Sequence, residues 1–277
     1  MKKLKCKLIV SDFDGTLANS QNEVPDDVVK AINSYISDGG IFAVCTGRIL
    51  PSILPRVRTL GLKGLVIAGQ GSVIADIQTG KLLRDVCFTN AQTAEICAAL
   101  EELKSNVQVY NNDGFYSDLP EDEKHLNLYE SIIGVQANHV ETPLSEYVST
   151  SPERFNKVAA LCRPEDQEEL YSQLLKRFGN KYDVTCSAKV LVEISPYGET
   201  KGKAVEFLAQ YYSVEIDETC AVGDNLNDLS MILTAGYGVA VGNAAKGLLD
   251  RTQYVTVTND EGAVARVIKD FGYIQND

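Results

Sequence analysis

Short apolar runs alternate with amphipathic helical stretches at the start of the chain, and this rhythm restricts the fold more than any other feature. Leu8-Ile9-Val10, Ile41 to Cys45 and Leu65-Val66-Ile67 have the length and character of buried strands. Between the first two, Val28, Ile32, Tyr35 and Ile36 share one helical face, after Pro25 and before Gly39-Gly40. A β-α-β-α-β order predicts a parallel sheet with helices on both faces. The last third repeats the rhythm. Ala204, Val205, Leu208, Ala209 and Tyr212 form a helix face, and Met231-Ile232-Leu233 sits in a further helix. Cys220-Ala221-Val222, Val239-Ala240-Val241 and Tyr254-Val255 read as strands.

The middle of the chain breaks this pattern. Val107 to Tyr110, the turn Asn112-Asp113-Gly114 and Phe115-Tyr116 read as a hairpin. Phe155 to Leu161 is another strand, and Leu170, Tyr171, Leu174, Leu175 and Phe178 make a helical stripe ending at Gly179. Val190 to Ile194 reads as the strand that leads back. The expected fold class is α/β, a doubly wound parallel sheet over 1–83 and 191–277 with a smaller α+β unit inserted over 84–190.

Composition limits the function classes. Hydrophobic residues make up 44% and charged residues 23% of 277, which supports a buried core and argues against a disordered or coiled-coil chain. With 26 basic against 38 acidic residues the formal charge is −12, a poor match for nucleic acid or an anionic membrane. An anionic substrate therefore needs a local positive site. The 7 cysteines are odd in number and include no C-x-x-C pair, against a disulfide framework or a zinc ribbon. Cys6, Cys45 and Cys220 lie in apolar runs, as small buried residues in a reducing compartment do. Only His125 and His139 are present, which disfavours a histidine-based triad. The basic start, Met1-Lys2-Lys3-Leu4-Lys5, has no signal-peptide apolar region behind it. No run approaches the roughly 18 apolar residues of a membrane span. The expectation is a cytoplasmic protein.

Four segments carry chemistry. Asp12-Phe13-Asp14-Gly15-Thr16-Leu17 follows the first strand run, and in open α/β sheets ligands bind at that edge. An EF-hand is excluded because Leu17 stands where the sharp-turn glycine belongs. Thr46-Gly47-Arg48 follows the second run, and a threonine hydroxyl with backbone N–H groups can hold a phosphate. On its own, an ordinary strand-to-helix turn with a threonine cap is the better account of it. Lys201-Gly202 opens the Ala204–Tyr212 helix, where the helix terminus and an ammonium both favour anions. It is not a P-loop, because Tyr197 and Ala204 replace the glycine and the hydroxyl residue that motif needs. Gly223-Asp224-Asn225-Leu226-Asn227-Asp228 crowds carboxylates after a strand. Two such charges roughly 4 Å apart repel by about 4 kcal/mol at an effective dielectric of about 20. Bound Mg²⁺ would relieve that repulsion. Neither Gly69-Gln70-Gly71 nor Gly236-Tyr237-Gly238 completes a dinucleotide fingerprint.

With these four segments in this order, the whole chain resembles the haloacid dehalogenase-like hydrolases, and within them the Cof-type phosphatases. Val241-Gly242-Asn243-Ala244 adds to the match, whereas Gln70-Gly71 departs from the Asn-Gly frequent in the family. The resemblance implies a Rossmann-like core, a type IIB cap and Mg²⁺-dependent phosphoryl transfer from a small phosphorylated metabolite, sugar phosphates being the commonest class. It implies Asp12 as nucleophile and Asp14 as general acid and then base. Asp12, Asp224 and the backbone carbonyl of Asp14 would hold Mg²⁺. Thr46, the Gly47 N–H, Lys201 and Asn227 would bind phosphate oxygens, with Phe13 beside them, and Asp228 would orient Lys201 or a metal-bound water. Arg48 could reach the substrate from the core, and Asn112, Asp113, Tyr116 and Lys157 could do so from the cap. The motifs leave open a sugar phosphomutase, in which a sugar hydroxyl rather than water receives the phosphoryl group. A non-catalytic sensor of phosphorylated ligands is a further alternative. A cation-pump reading fails because Asp14 stands where those proteins carry threonine.

Overall fold

The computed structural model describes residues 3–119, 123–188 and 190–274, so Met1 and Lys2 of the basic start lie outside the described residues. The strands are β1 (Leu8–Ser11), β2 (Ile41–Cys45), β3 (Leu65–Ala68), β4 (Val73–Asp76), β5 (Leu82–Asp85), β6 (Asn106–Tyr110), β7 (Phe115–Ser117), β8 (Ala137–His139), β9 (Lys157–Leu161), β10 (Tyr182–Ala188), β11 (Leu191–Pro196), β12 (Thr219–Gly223), β13 (Tyr237–Ala240) and β14 (Tyr254–Val255). The helices are α1 (Asp26–Ser37), α2 (Leu50–Thr59), α3 (Asn90–Glu102), α4 (Lys124–Ile133), α5 (Leu144–Thr150), α6 (Gln167–Phe178), α7 (Lys201–Tyr212), α8 (Leu229–Thr234), α9 (Lys246–Leu249) and α10 (Ala263–Phe271).

The first sheet runs β14-β13-β12-β1-β2-β3-β4-β5. Its six strands from β14 to β3 are parallel, as the sequence rhythm requires. Strand alternation divides its side chains between two layers. Ile9, Phe42, Val44 and Val66 face α1, α2 and α10 through Val28, Ile32, Ile53, Val57, Val264 and Val267. Leu8, Val10, Ala43 and Cys45 face α7 through Ala204, Val205 and Leu208. The strands β4 and β5 add antiparallel pairings at one edge, which the sequence reading did not contain. Both are only 4 residues long, too short to show a period.

The second sheet runs β10-β11-β9-β6-β7-β8 and is antiparallel except for β7–β8. The expected hairpin is present, with Tyr110 opposite Phe115. One face packs on α3, α5 and α6. The other carries Tyr110, Phe115, Ala159, Leu161 and Leu191 against α4, and the first unit contributes Ile49 to that cluster.

Sheet membership corrects the sequence-based division at both ends. Residues 82–85 pair with β4 in the first sheet, beyond the expected end at 83. Residues 191–196, expected to return to the first unit, pair with β9 and β10 in the second. Every residue of β11 is buried, so its run looks like a parallel-core strand and periodicity cannot assign its partner.

Candidate active site

Three adjacent parallel strands deliver the site. Asp12 follows the last residue of β1, Thr46 that of β2, and Asp224 that of β12. Their carboxyl edge thus gathers groups from residues 12, 46 and 224 of the chain.

Lys201, the first residue of α7, is fully buried beneath this edge. Its ammonium donates to Asp12 Oδ1 at 2.6 Å and to Asp228 Oδ1 at 2.5 Å. The other oxygen of Asp228 accepts from the backbone N–H groups of Asp224 at 2.9 Å and Asn225 at 3.0 Å, which fixes the 224–228 turn. Gly202 lets α7 come this close: a Cβ there would stand 2.7 Å from the Ser230 carbonyl oxygen. Thr16 donates to Asp224 Oδ1 at 3.2 Å. The turn after Asp14 needs Gly15 at φ +71°, and its carbonyl accepts from Asn243 Nδ2 at 2.8 Å.

The electrostatics oppose one another. Burial, followed by repulsion from Asp228, pushes the Asp12 carboxyl well above the usual carboxylate range, against the pull of Lys201. Asp224 is pushed up to about 6, first by burial and then by Asp228. Burial disfavours the Lys201 ammonium, but Asp12 and Asp228 more than reverse that and hold it charged. Carboxylate oxygens of Asp12, Asp224 and Asp228 lie within 4.8 Å of one another, with one ammonium bonded among them. Asn227 Oδ1 is buried beside them with no protein partner. An all-oxygen, over-acidic donor set with an unmet polar atom fits a hard divalent cation such as Mg²⁺.

Asp14 sits apart from this cluster. Arg48 grips both its oxygens, Nε to Oδ2 and Nη2 to Oδ1, each at 2.7 Å. The remaining donor of Arg48, Nη1, reaches Ser52 Oγ at 3.1 Å and the Ile132 carbonyl at 3.4 Å. Ser52 in turn donates to the Ile133 carbonyl at 2.5 Å. These bonds seat the end of α4 on the first unit.

A second buried network crosses between the units. Lys157 donates to Glu193 Oε1 at 2.6 Å and to the Gly47 carbonyl at 3.3 Å, and lies 4.4 Å from the centre of the Tyr110 ring. Burial alone would lower the Lys157 ammonium, and attraction to Glu193 outweighs it. Gln70, buried at φ +62°, donates to Glu193 Oε2 at 3.2 Å and accepts from Asn227 Nδ2 at 3.1 Å. One amide N–H of Asn227 is thereby committed and the other remains.

A cavity of about 320 Å³ opens over the edge, lined by Asp12, Asp14, Thr46, Gly47, Arg48, Asp224 and Asn227 from the first unit and Lys157 from the second. Lys201 and Asp228 lie behind Asp12 and do not line it. The Phe13 ring is buried in the core under Arg48, so any contact Phe13 makes with a ligand is through its backbone. Asn112, Asp113 and Tyr116 do not line the cavity. Tyr116 faces α5, beside Tyr147 and Phe155, and its hydroxyl donates to Glu153. Alternation puts Lys157 on the opposite face from Val158 and Tyr116, toward the cavity. Sequence reasoning gave no site role to Gln70, Glu193 or Thr16. Glu193 had a signal: a carboxylate inside the apolar run Leu191 to Ile194 demands a buried partner.

The model of a family described as haloacid dehalogenase-like hydrolase matches residues 9–268. The phosphatase YwpJ of Bacillus subtilis (strain 168) is 30% identical over 285 residues, covering 95% of this chain and 99% of its own. A relative from the same organism, named 5-amino-6-(5-phospho-D-ribitylamino)uracil phosphatase YwtE, is 28% identical over 95% of this chain and 96% of its own. The solved structure of a haloacid dehalogenase-like hydrolase from B. subtilis superposes with a TM-score of 0.84 at 27% identity, over 95% of this chain and 99% of that one. Nearly the full length of the chain is matched in each comparison, and the chain belongs to the haloacid dehalogenase-like hydrolases.

Proposed function

We propose that this chain is an Mg²⁺-dependent phosphatase that hydrolyses a small phosphate monoester through an aspartyl-phosphate on Asp12. The observation that carries the reading is Asp12 Oδ1, held 2.6 Å from a buried ammonium at the floor of a cavity shared by both units. In this reading residues 86–196 are the cap and the remainder is the core. The YwtE relative supports a small metabolite as substrate. Seven free thiols fit a reducing compartment such as the cytoplasm. Among the described residues no helix is long and apolar enough to cross a membrane.

Asp12 attacks phosphorus, and the phosphorus–ester oxygen bond breaks. Asp14 gives its proton to the departing oxygen, then takes a proton from the water that attacks phosphorus and releases Asp12. Arg48 pairs with both Asp14 oxygens, and this fork must open on the Asp14 side before that carboxyl can carry a proton to the substrate. Thr46, the Gly47 N–H and the second N–H of Asn227 bind the phosphate oxygens, while Lys201, behind Asp12 and held there by Asp228, supplies the counter-charge to the Asp12 carboxylate. Mg²⁺, held by Asp12, Asp224 and the Asp14 carbonyl, supplies the positive charge that lets a carboxylate approach an anionic phosphate. The cap excludes bulk water.

The test is phosphate release from a panel of small monoesters, with Mg²⁺ and with excess chelator. Release that chelator abolishes is the expected result. Binding of monoesters without turnover would favour a sensor, and isomerisation that requires a bisphosphate would favour a mutase.

A further inference from the structure

The wall of the cavity that faces the charged edge is apolar. It consists of Ile49, Tyr129, Ile132, Ile133, Val190 and Leu191. The few polar atoms on that side are already bonded. The Tyr129 hydroxyl is 2.9 Å from that of Tyr110. Lys157 is held by Glu193, the Gly47 carbonyl and the Tyr110 ring, and Glu193 by Lys157 and Gln70. The Ile132 and Ile133 carbonyls accept from Arg48 and Ser52. Tyr129 accepts from Tyr110, so among the described residues its hydroxyl proton is the one side-chain donor this wall keeps, and Ile49, Ile132, Ile133, Val190 and Leu191 offer none.

The apolar surface also continues outward. A second cavity of about 140 Å³ shares Tyr129, Ile132 and Val190 with the first and adds Leu128 and Leu161, with Asn106, His125 and Arg163 also on its lining. Ile132 is 49% exposed and Leu128 60% exposed at this rim. Ile132 lines the same cavity as Thr46, Gly47 and Asn227, and Leu128 lines the one adjoining it.

We infer that the site selects a phosphate monoester whose alcohol portion is apolar, an alkyl chain or a flat ring, over a polyhydroxylated sugar. This rests on the phosphatase reading above. A sugar hydroxyl pressed against Ile132 or Leu191 loses its water without gaining a partner, and each such loss weakens binding about tenfold. An alkyl group there gains about fourfold in binding for every methylene removed from water.

n-Hexyl phosphate and glucose 6-phosphate make the decisive pair. Each carries six carbons and releases a primary alcohol, so their intrinsic reactivities are close. With Mg²⁺ present, kcat/KM is expected to be at least about tenfold higher for hexyl phosphate and to rise about fourfold per methylene from ethyl to hexyl phosphate. Ile132→Asn is expected to reduce the hexyl-to-glucose ratio about fivefold, since it offers the sugar a partner and removes apolar area. A ratio at or below one, a flat alkyl series, or a ratio unmoved by the variant would each overturn the inference. Acetyl phosphate, which presents almost nothing to this wall, separates the two levels of the argument. Turnover of acetyl phosphate with no alkyl preference leaves the phosphatase standing and removes the selectivity. No release from any member, acetyl phosphate included, removes both.

Discussion

The cavity has two ends of opposite construction. At the carboxyl edge of the first sheet, Asp12, Asp228 and Lys201 are locked in contacts of 2.5 to 2.6 Å, and Asp14 in a fork from Arg48. Across from them, α4 and β11 present Ile132, Ile133 and Leu191, which make no polar side-chain contact at all. The charged end is a cohesive set in which each group determines the protonation and position of the next. The apolar end has no such network, and its members are joined only by non-directional packing. Chemistry and selectivity therefore reside on different elements. Damage to the first should propagate, and damage to the second should stay local.

That contrast can be broken in stages. Asp12→Asn should lower kcat by about 10⁴-fold or more, with the circular dichroism spectrum unchanged, because the amide keeps the shape and loses the nucleophile. A variant that kept a tenth of the activity would rule out a covalent route through Asp12.

Lys201→Ala should destabilise the fold by about 3–5 kcal/mol, since it leaves Asp12 and Asp228 buried with no counter-charge. Urea unfolding measures this. A loss below about 1 kcal/mol, the size expected of a surface ion pair, would mean that the charged end is not cohesive.

The third effect is on pH. The folded carboxyls of Asp12 and Asp224 are raised above their ordinary values, Asp224 to about 6, so the folded state holds more protons than the unfolded one between about pH 4 and 6. The contribution of Asp224 to stability is therefore greatest in acid and is lost as pH rises through about 6, and that of Asp12 falls in the same direction with rising pH. A divalent cation competes with those protons, so Mg²⁺ should raise the melting temperature more near about pH 7.5 than near about pH 5. Equal shifts at both would remove these carboxylates from the ion's ligand set.

The smallest effect concerns Gln70, which joins the two ends. Its φ of +62° suits glycine, so Gln70→Ala should be less stable than Gln70→Gly by about 1 kcal/mol, although both lose the bonds to Glu193 and Asn227. Identical stabilities would show that the turn relaxes when the side chain is removed.

The two ends also differed in how far the sequence revealed them. The residues of the charged edge are consecutive or nearly so, Asp12 to Thr16 and Asp224 to Asp228, and each group follows a strand whose apolar run is unmistakable. The wall is assembled from residues 49, 129, 132, 133, 190 and 191, and no local pattern connects them. Tyr116 and Lys157 looked equivalent as polar residues near strand ends. Only the pleat and pairing of β7 and β9 decide that one faces α5 and the other the cavity. The strand β11 was visible as a strand but not as a neighbour of β9, because burial on both faces erases the alternation that would identify its sheet.

Arg48 and Ser52 fasten the cap by the carbonyls of Ile132 and Ile133, and Lys157 reaches back to the carbonyl of Gly47. None of these bonds depends on the side chain of the residue that accepts it. A lineage can therefore exchange the residues at 132 and 133, and with them the alcohol that fits, while the two units stay joined in the same way. New specificity can arise there by single steps, without a compensating change in the half of the molecule that breaks the bond.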